Sequence, residues 1–233
     1  MNAIVAKLDK QKHNNILLNI LLDISRDSLL SKKLLFKWWT LLYFLYGLDR
    51  FSTDLDFDLI NIWNKELVLE KIWNILKKYW EVKDLRIKRY TIFGMLSYWD
   101  IDHNIKIEVS LRWVSWEYSY KNFLWIKLNT MNIEDIFSNK LVALINRSQL
   151  ANRDIYDIHF LLKKQILANK AIIIQKTGEN LSDYIIKVID FLQKLPKNYN
   201  ILNWLWEVLD SKKKAFCKNK LIDETIFLLH WLK

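Results

Sequence analysis

Three aspartates alternate with apolar residues in one short segment of the chain. Asp54, Asp56 and Asp58 give residues 54–60 the period of two that is typical of a β-strand. Side chains two apart on a strand lie about 7 Å from each other on the same face, so these carboxylates repel one another unless water or a cation lies between them. The pattern alone fits either a solvent-exposed acidic face without a ligand or a site for a hard cation.

A further carboxylate stands on a second alternating segment, residues 105–112, where Glu108 occupies the polar face. If this strand is a neighbour of the first, Glu108 can complete an oxygen cage for Mg²⁺ with Asp54 and Asp56. Two such ions would activate an attacking hydroxyl and stabilise the pyrophosphate that leaves a nucleoside triphosphate. The candidate metal ligands are therefore Asp54, Asp56 and Glu108.

The elements that must position these residues follow from the hydrophobic periodicity, which changes between helical and strand spacing along the chain. Strands are predicted at 54–60, 85–98 (a strand or hairpin), 105–112 and 126–128. Helices are predicted at 14–24, 40–46, 65–79, 133–147, 153–164, 168–176, 181–194, 200–214 and 222–232. The expected fold class is α+β, with a sheet domain and its N-terminal helices at residues 1–130 and a helical region at 131–233.

The composition indicates a folded, basic protein. The 233 residues are 52% hydrophobic and 27% charged, which is outside the range of disordered chains. We expect a cytoplasmic protein, because we find no signal peptide and no run of about 18 uncharged apolar residues. Cys217 is the single cysteine, and the four histidines lack zinc-type spacing. The net charge of +10 favours a polyanionic partner, although a lysine-rich solvated surface explains it as well.

Glycine and tryptophan are used in unusual amounts. The chain has 3 Gly and 12 Trp, whereas average usage of about 7% would give roughly 16 Gly. Trp38 and Trp39 lie side by side at a junction between a loop and a helix, where two large side chains serve no evident purpose. We hypothesise that many of these tryptophans are UGA codons that the source organism reads as glycine. The alternative is a protein that is simply rich in tryptophan and poor in glycine.

The segment from residue 36 to residue 58, FKWWTLLYFLYGLDRFSTDLDFD, resembles the AbiEii/AbiGii abortive-infection toxins, a branch of the polymerase-β-like nucleotidyltransferases. That family has a K-G-G-T element, a short helix and then R-F-S-x-D-L-D-F. The residues that match are Lys37, Thr40, Arg50, Phe51, Ser52, Asp54, Leu55, Asp56 and Phe57. Trp38 and Trp39 stand at the two glycine positions, where indoles would block the approach of a triphosphate to the loop and the helix N-terminus.

The resemblance continues over roughly residues 30–165. Glu108 stands where the family has an aspartate as its third carboxylate. An inward-facing lysine and an R-D-x-x-D-L segment of the family are matched by Lys140 and by Arg153, Asp154 and Asp157. By its spacing alone Lys140 could equally be snorkelling to solvent. Likewise, Asp154 and Asp157 could merely complement a helix dipole.

The resemblance implies a Mg²⁺-dependent nucleotidyltransferase that acts as the toxin of a toxin–antitoxin pair. Asp54, Asp56, Lys140 and Asp154 would be catalytic, while Trp38, Trp39, Thr40, Ser52 and Lys140 mark the positions that hold the nucleotide. The implied partners are a nucleoside triphosphate, an RNA acceptor (most plausibly tRNA, though protein hydroxyls are open) and a separately encoded antitoxin. The alternative is a catalytically inactive protein of the same fold that binds RNA or a protein partner.

Overall fold

The computed structural model describes residues 9–98, 104–112, 117–196 and 198–232. The chain forms two compact units, the first made of Met1–Gly47 and Ser52–Met131, the second of Leu48–Phe51 and Asn132–Lys233. A mixed sheet with flanking helices occupies the first unit, and helices make up the second. The predicted α+β class is therefore confirmed. Among the described residues, no helix combines the length and the apolar character that crossing a membrane requires.

The first unit contains four α-helices, a short 3₁₀ helix at Ile62–Asn64 and seven strands within its described residues. Its helices are α1 Lys10–Arg26, α2 Leu30–Lys33, α3 Trp38–Tyr46 and α4 Lys65–Leu76. Its strands are β1 Leu34–Lys37, β2 Leu55–Leu59, β3 Glu81–Lys88, β4 Thr91–Ser97, β5 Asn104–Ser110, β6 Tyr118–Phe123 and β7 Ile126–Met131.

The seven strands form one sheet in the order β3-β4-β5-β2-β1-β7-β6. The strand with the alternating aspartates, β2, lies at the centre, antiparallel to β1 and parallel to β5. Hairpins join β3 to β4 and β6 to β7. A central strand has neighbours on both sides, so its side chains are held more firmly than those of an edge strand.

One face of this sheet is covered by α1 and α4. Phe36 and Phe57 lie 5.3 Å apart between their ring centres and border a small void that α1 closes with Leu21 and Ile24. Toward the β3 edge, a Cβ atom at Gly94 would lie 3.3 Å from a methyl group of α4. Apolar side chains of the central strands therefore point toward the helices, and the alternating polar side chains point to the opposite face.

The second unit is built from amphipathic helices packed on their apolar sides. They are α5 Ile133–Asn146, α6 Asn152–Lys163, α7 Lys170–Thr177, α8 Leu181–Gln193, α9 Ser211–Asn219 and α10 Leu221–His230. The short segment Leu48–Phe51 belongs to this unit, and the backbone N–H of Phe51 donates a hydrogen bond to the carbonyl of Val208 at 3.1 Å.

Two strands were not predicted, and one predicted helix is wrong. β1 is a run of buried residues without alternation, and β6 is a largely polar edge strand, so neither shows a clear period of two. The helix predicted at 200–214 is replaced by turns and by α9, which begins at Ser211 after its N-cap Asp210. Trp204 interrupts the helical pattern, because its backbone adopts φ 65°.

Tryptophans account for most of the non-glycine residues with left-handed backbone conformations. In the described ranges five such residues have positive φ, and three of them are Trp38, Trp125 and Trp204. Leu124 and Trp125, with φ of 44° and 62°, form the two-residue turn between β6 and β7. A hairpin turn with positive φ at both positions favours glycine, because a Cβ atom clashes with the backbone there. This conformation supports the glycine hypothesis at position 125.

We expect Trp125→Gly to stabilise the protein by about 1 kcal/mol, because the left-handed conformation strains any residue that has a Cβ atom. The Trp125 side chain is 98% exposed, so its removal sacrifices no packing. The matched control is Trp73→Gly within α4, which we expect to destabilise by about 1 kcal/mol because glycine weakens a helix interior. Urea unfolding of the three proteins checks this, and a destabilised Trp125→Gly variant would contradict the strain argument.

Candidate active site

The register of β2 places carboxylates and a lysine together on the polar face of the sheet. Asp56 is paired with Lys37 of β1 on one side and with Glu108 of β5 on the other. Directly paired residues have side chains on the same face, so Glu108 lies beside Asp56 on an adjacent strand. Asp54 and Asp58, two positions away from Asp56, share that face. The structure thus gathers all the predicted metal ligands on one side of the sheet.

These aspartates do not form a solvent-exposed acidic face. Asp58 is buried, and one of its oxygens accepts a hydrogen bond from Nζ of Lys37 at 2.5 Å. Asp56 is also buried, at 9% exposure. Asp54, at the entrance to the strand, accepts a 3.3 Å hydrogen bond from the backbone N–H of Lys106. A cation on this face would therefore experience concentrated negative charge with little competing water.

The donor set fits a hard divalent cation. Asp54, Asp56 and Glu108 offer carboxylate oxygens, which suit Mg²⁺ or Mn²⁺, and no histidine or cysteine is among them. Within the described ranges, however, no three acidic, histidine or cysteine side chains are already arranged as a metal cage. Glu108 is exposed and carries one more methylene than the aspartate of the family pattern, so it can rotate toward Asp56.

The N-terminus of α3 follows immediately after the residue that is paired with Asp56. Lys37 is the N-cap of α3, and no side chain caps the helix there. The first residues, Trp38 and Trp39, stack on each other with ring centres 6.2 Å apart and are only partly buried. Trp38 has φ 64°. Two indoles therefore stand at a helix start that has no capping side chain and carries the positive end of the helix dipole.

Thr40 and Ser52 connect this helix to the acidic strand. Their hydroxyl oxygens lie 2.7 Å apart, and the Thr40 hydroxyl also donates to the backbone carbonyl of Asp54. Both residues are buried. His13 of α1 supports the same segment, since its Nε2 lies 2.9 Å from the carbonyl oxygen of Thr53. These contacts fix the distance between the start of α3 and the carboxylates.

The predicted catalytic residues of the helical unit form a buried ion cluster. Nζ of Lys140 lies 2.5 Å from an oxygen of Asp157 and 3.2 Å from an oxygen of Asp154. Arg50 binds Asp157 with two parallel hydrogen bonds, from Nε at 2.6 Å and from Nη2 at 2.7 Å. Arg147 reaches Asp154 at 3.3 Å. Lys140 is therefore not snorkelling to solvent, because its side chain is 1% exposed.

Burial raises the pKa of Asp157, but the positive charges of Arg50 and Lys140 outweigh this effect and hold the pKa below its ordinary value. The carboxyl group is thus more acidic in the folded than in the unfolded chain. Its contribution to stability is complete above the unfolded pKa of about 3.9. This contribution is lost as the pH falls through the lower pKa of the folded state.

Lys37, Arg50 and His13 all position predicted site residues, although no role was assigned to them from the sequence. Lys37 neutralises Asp58, Arg50 holds Asp157, and His13 contacts the backbone next to Asp54. Lys37 interrupts an apolar run of the sequence, and this was the available signal for it, because a buried charge requires a partner. The partners lie far away in the sequence and could not be named from it.

We expect Asp157→Ala to destabilise the protein by about 3–5 kcal/mol, because it leaves the buried charges of Arg50 and Lys140 without this carboxylate. Lys187→Ala is the matched control, since it removes one exposed ion pair, with Glu179 at 2.7 Å, and should cost less than about 1 kcal/mol. Urea unfolding monitored by circular dichroism measures both changes. Equal losses would contradict the buried-cluster interpretation.

Known proteins resemble this chain in sequence and in fold. The family model described as the nucleotidyl transferase AbiEii toxin of type IV toxin–antitoxin systems matches residues 20–194. No curated protein matches the chain significantly. The crystal structure of JHP933 from Helicobacter pylori is similar at 20% identity, with a TM-score of 0.60 and coverage of 97% of this chain and 95% of the other. A candidate nucleotidyltransferase from H. pylori is 22% identical, with a TM-score of 0.58 and coverage of 98% and 99%. Since the family model spans most of its length, the chain belongs to the AbiEii nucleotidyltransferase toxin family.

Proposed function

We propose that the protein transfers a nucleotide from a nucleoside triphosphate to a hydroxyl group of an RNA, with the 3′ end of a tRNA as the preferred acceptor. The observation that carries the proposal is the register that places Asp56 between Lys37 and Glu108, immediately beside the start of α3. Carboxylates for a cation and N–H groups for phosphates are thus adjacent. The net charge of +10 supports a polyanionic acceptor.

The N-terminus of α3 is the proposed phosphate site. The helix has nine residues, no acidic residue in its first turn and no side-chain hydrogen bond at its N-cap. The backbone N–H groups of its first turn point out of the helix start and, together with the helix dipole, favour a triphosphate at positions 38–40. Thr40 and Ser52, which bond to each other, keep this turn beside Asp54.

Asp54, Asp56 and Glu108 are the proposed ligands of Mg²⁺, which would supply charge stabilisation for the triphosphate when bound. A triphosphate held there would present its α-phosphorus to the acceptor. The acceptor hydroxyl oxygen forms the new bond to the α-phosphorus and passes its proton to water, while the bond from the α-phosphorus to the oxygen that bridges to the β-phosphate breaks, and pyrophosphate leaves with that oxygen. Asp58 takes no part, because Lys37 already neutralises it.

Lys140 and Asp154 stay predicted contributors to nucleotide binding and catalysis. Within the helical unit, their shared ion cluster with Asp157 fixes both side chains in defined positions. A lysine held in this way is preorganised for a phosphate, since little side-chain entropy remains to be lost.

Membership in a type IV toxin–antitoxin family also supports an antitoxin as the partner of this toxin.

The stacked indoles of Trp38 and Trp39 favour a second candidate, an inactive protein of the same fold. The indoles occupy the space at the start of α3 that phosphates would need. The two candidates differ in whether these residues are tryptophans in the protein of the source organism. The left-handed φ of Trp38 favours glycine there and hence the active enzyme.

The first test measures incorporation of each labelled nucleoside triphosphate into total RNA in the presence of Mg²⁺. On a background with glycine at positions 38 and 39, Asp56→Asn should lower transfer by at least about 100-fold, because the charge that holds the cation is lost while the side-chain shape is retained. Asp190→Asn on α8, on the other unit, is the matched control and should transfer normally. Full activity of Asp56→Asn would exclude the proposed mechanism.

The second test concerns the phosphate loop itself. The double variant Trp38→Gly and Trp39→Gly should bind a nucleoside triphosphate in a Mg²⁺-dependent manner, whereas the tryptophan form should not, because the indoles block the approach. Isothermal titration calorimetry measures the difference, and the gene should contain UGA at both codons. UGG at both codons, or a glycine variant that fails to bind, would favour the inactive protein instead.

A further inference from the structure

The polar face that carries the carboxylates continues across the sheet to its β3 edge. Register pairing places Phe93 of β4 beside Glu108, and Arg86 of β3 beside Phe93. The neighbouring rows contribute further side chains to this face. We call the resulting surface the basic face; its members are Arg86, Lys88, Phe93, Met95 and Lys106, with Arg89, Tyr90 and Arg112 at the end where β3 turns into β4.

The basic face is open, unlike the opposite side of the same strands. Residues on the opposite side, such as Ile92, Leu96 and Ile107, are buried beneath the helices. On the basic face, Lys88, Lys106 and Arg112 are exposed or nearly so, and Phe93 and Met95 are partly exposed. Apolar and aromatic side chains that stay partly exposed, such as Phe93 and Met95, are not explained by core packing.

Cations and aromatic rings alternate on this surface. Nζ of Lys88 lies 3.5 Å from the ring centre of Phe93. Tyr90, which is 46% exposed, has the guanidinium groups of Arg89 and Arg112 within 4.9 Å and 5.4 Å of its ring centre. Arg86 forms an exposed ion pair with Asp84, at 3.2 Å, which a phosphate could replace at little cost.

We propose that the basic face binds single-stranded RNA, namely the segment of the acceptor that leads to the reacting hydroxyl. The assignment of this strand as RNA and as the acceptor rests on the proposed transferase function, whereas the binding of a single strand itself does not. β3 lies three strands from β2, about 14 Å at the usual strand spacing. RNA lying across β3, β4 and β5 would thus lead its end to Asp56 and Glu108.

The chemistry of the surface favours a single-stranded nucleic acid over duplex DNA and acidic polypeptides. Aromatic rings presented by a sheet stack on unpaired bases, and adjacent lysines and arginines bind the intervening phosphates. Duplex DNA shields its bases from such rings, and an acidic polypeptide offers no bases to stack. Both competitors would use only the positive charges, so they separate stacking from general electrostatic attraction.

The test is fluorescence anisotropy of a labelled single-stranded RNA of ten nucleotides, with the full chain and without nucleoside triphosphate or Mg²⁺. Lys88→Ala with Arg112→Ala should weaken binding at least tenfold. The same pair should make the plot of log affinity against log salt concentration shallower by about 0.7 for each phosphate that is no longer neutralised. Phe93→Leu should weaken binding by about tenfold without changing the salt dependence, while Phe93→Tyr, which keeps the ring, should bind normally.

The matched control is Lys65→Ala with Lys77→Ala, which removes the same charge from the first residue and the C-cap of α4, on the helix-covered side of the sheet. This pair should bind within twofold of the original protein, and equal weakening by both pairs would overturn the proposal. Equal competition by duplex DNA or polyglutamate would overturn it as well.

If the expected pattern is observed but no nucleotide is transferred to RNA, the transferase proposal fails and the binding site stands. If nucleotide is transferred to RNA but the substitutions at Lys88, Arg112 and Phe93 do not affect the transfer, the transferase proposal stands and the basic face is not the surface that binds the acceptor.

Discussion

The register of β2 between β1 and β5 is the constraint on which the site depends. It pairs Asp56 with Lys37 on one side and Glu108 on the other, and it directs Phe57 toward the helices. A slip by one residue would bury the carboxylates against α1 and expose the apolar side chains, so the hydrophobic effect enforces the register strongly. The stability of the core and the geometry of the carboxylates thus have the same origin. The charges themselves are tolerated because Lys37 neutralises Asp58 on the same face.

Backbone geometry explains why tryptophan is out of place at several positions. Trp38, Trp125 and Trp204 have left-handed backbone conformations at a helix start, in a hairpin turn and at a break between helices, respectively. At the last two positions the side chain contributes little packing, since Trp125 and Trp204 are largely exposed. Glycine adopts such conformations without strain. Three unrelated local motifs thus support the glycine hypothesis that the composition suggests.

Most of the fold could be predicted from the sequence, because strong periodicity marks its elements. The alternation at residues 54–60 and 105–112 identified β2 and β5, and helical stripes identified α5, α6, α8 and α10. β1 was missed because all four of its residues are buried. The helix predicted at 200–214 failed because periodicity does not reveal a left-handed residue at Trp204. For the site, alternation predicted the shared face of the aspartates, but the partner of each charge, such as Asp157 for Arg50, depends on packing between distant segments.

Charge is distributed unevenly over the polar face, and this distribution affects where a polyanion can bind. The carboxylates lie on β2 and β5, whereas the lysines and arginines of the basic face lie mainly toward the β3 edge. A polyanion is attracted at that edge and repelled near Asp56 and Glu108 unless a cation neutralises them. If RNA binds at the edge as proposed, that binding would need no divalent cation, whereas bringing the RNA end up to the carboxylates would. The proposed cation would then control the approach of the reacting hydroxyl, because a site without it would hold RNA but keep the RNA end away from Asp56 and Glu108.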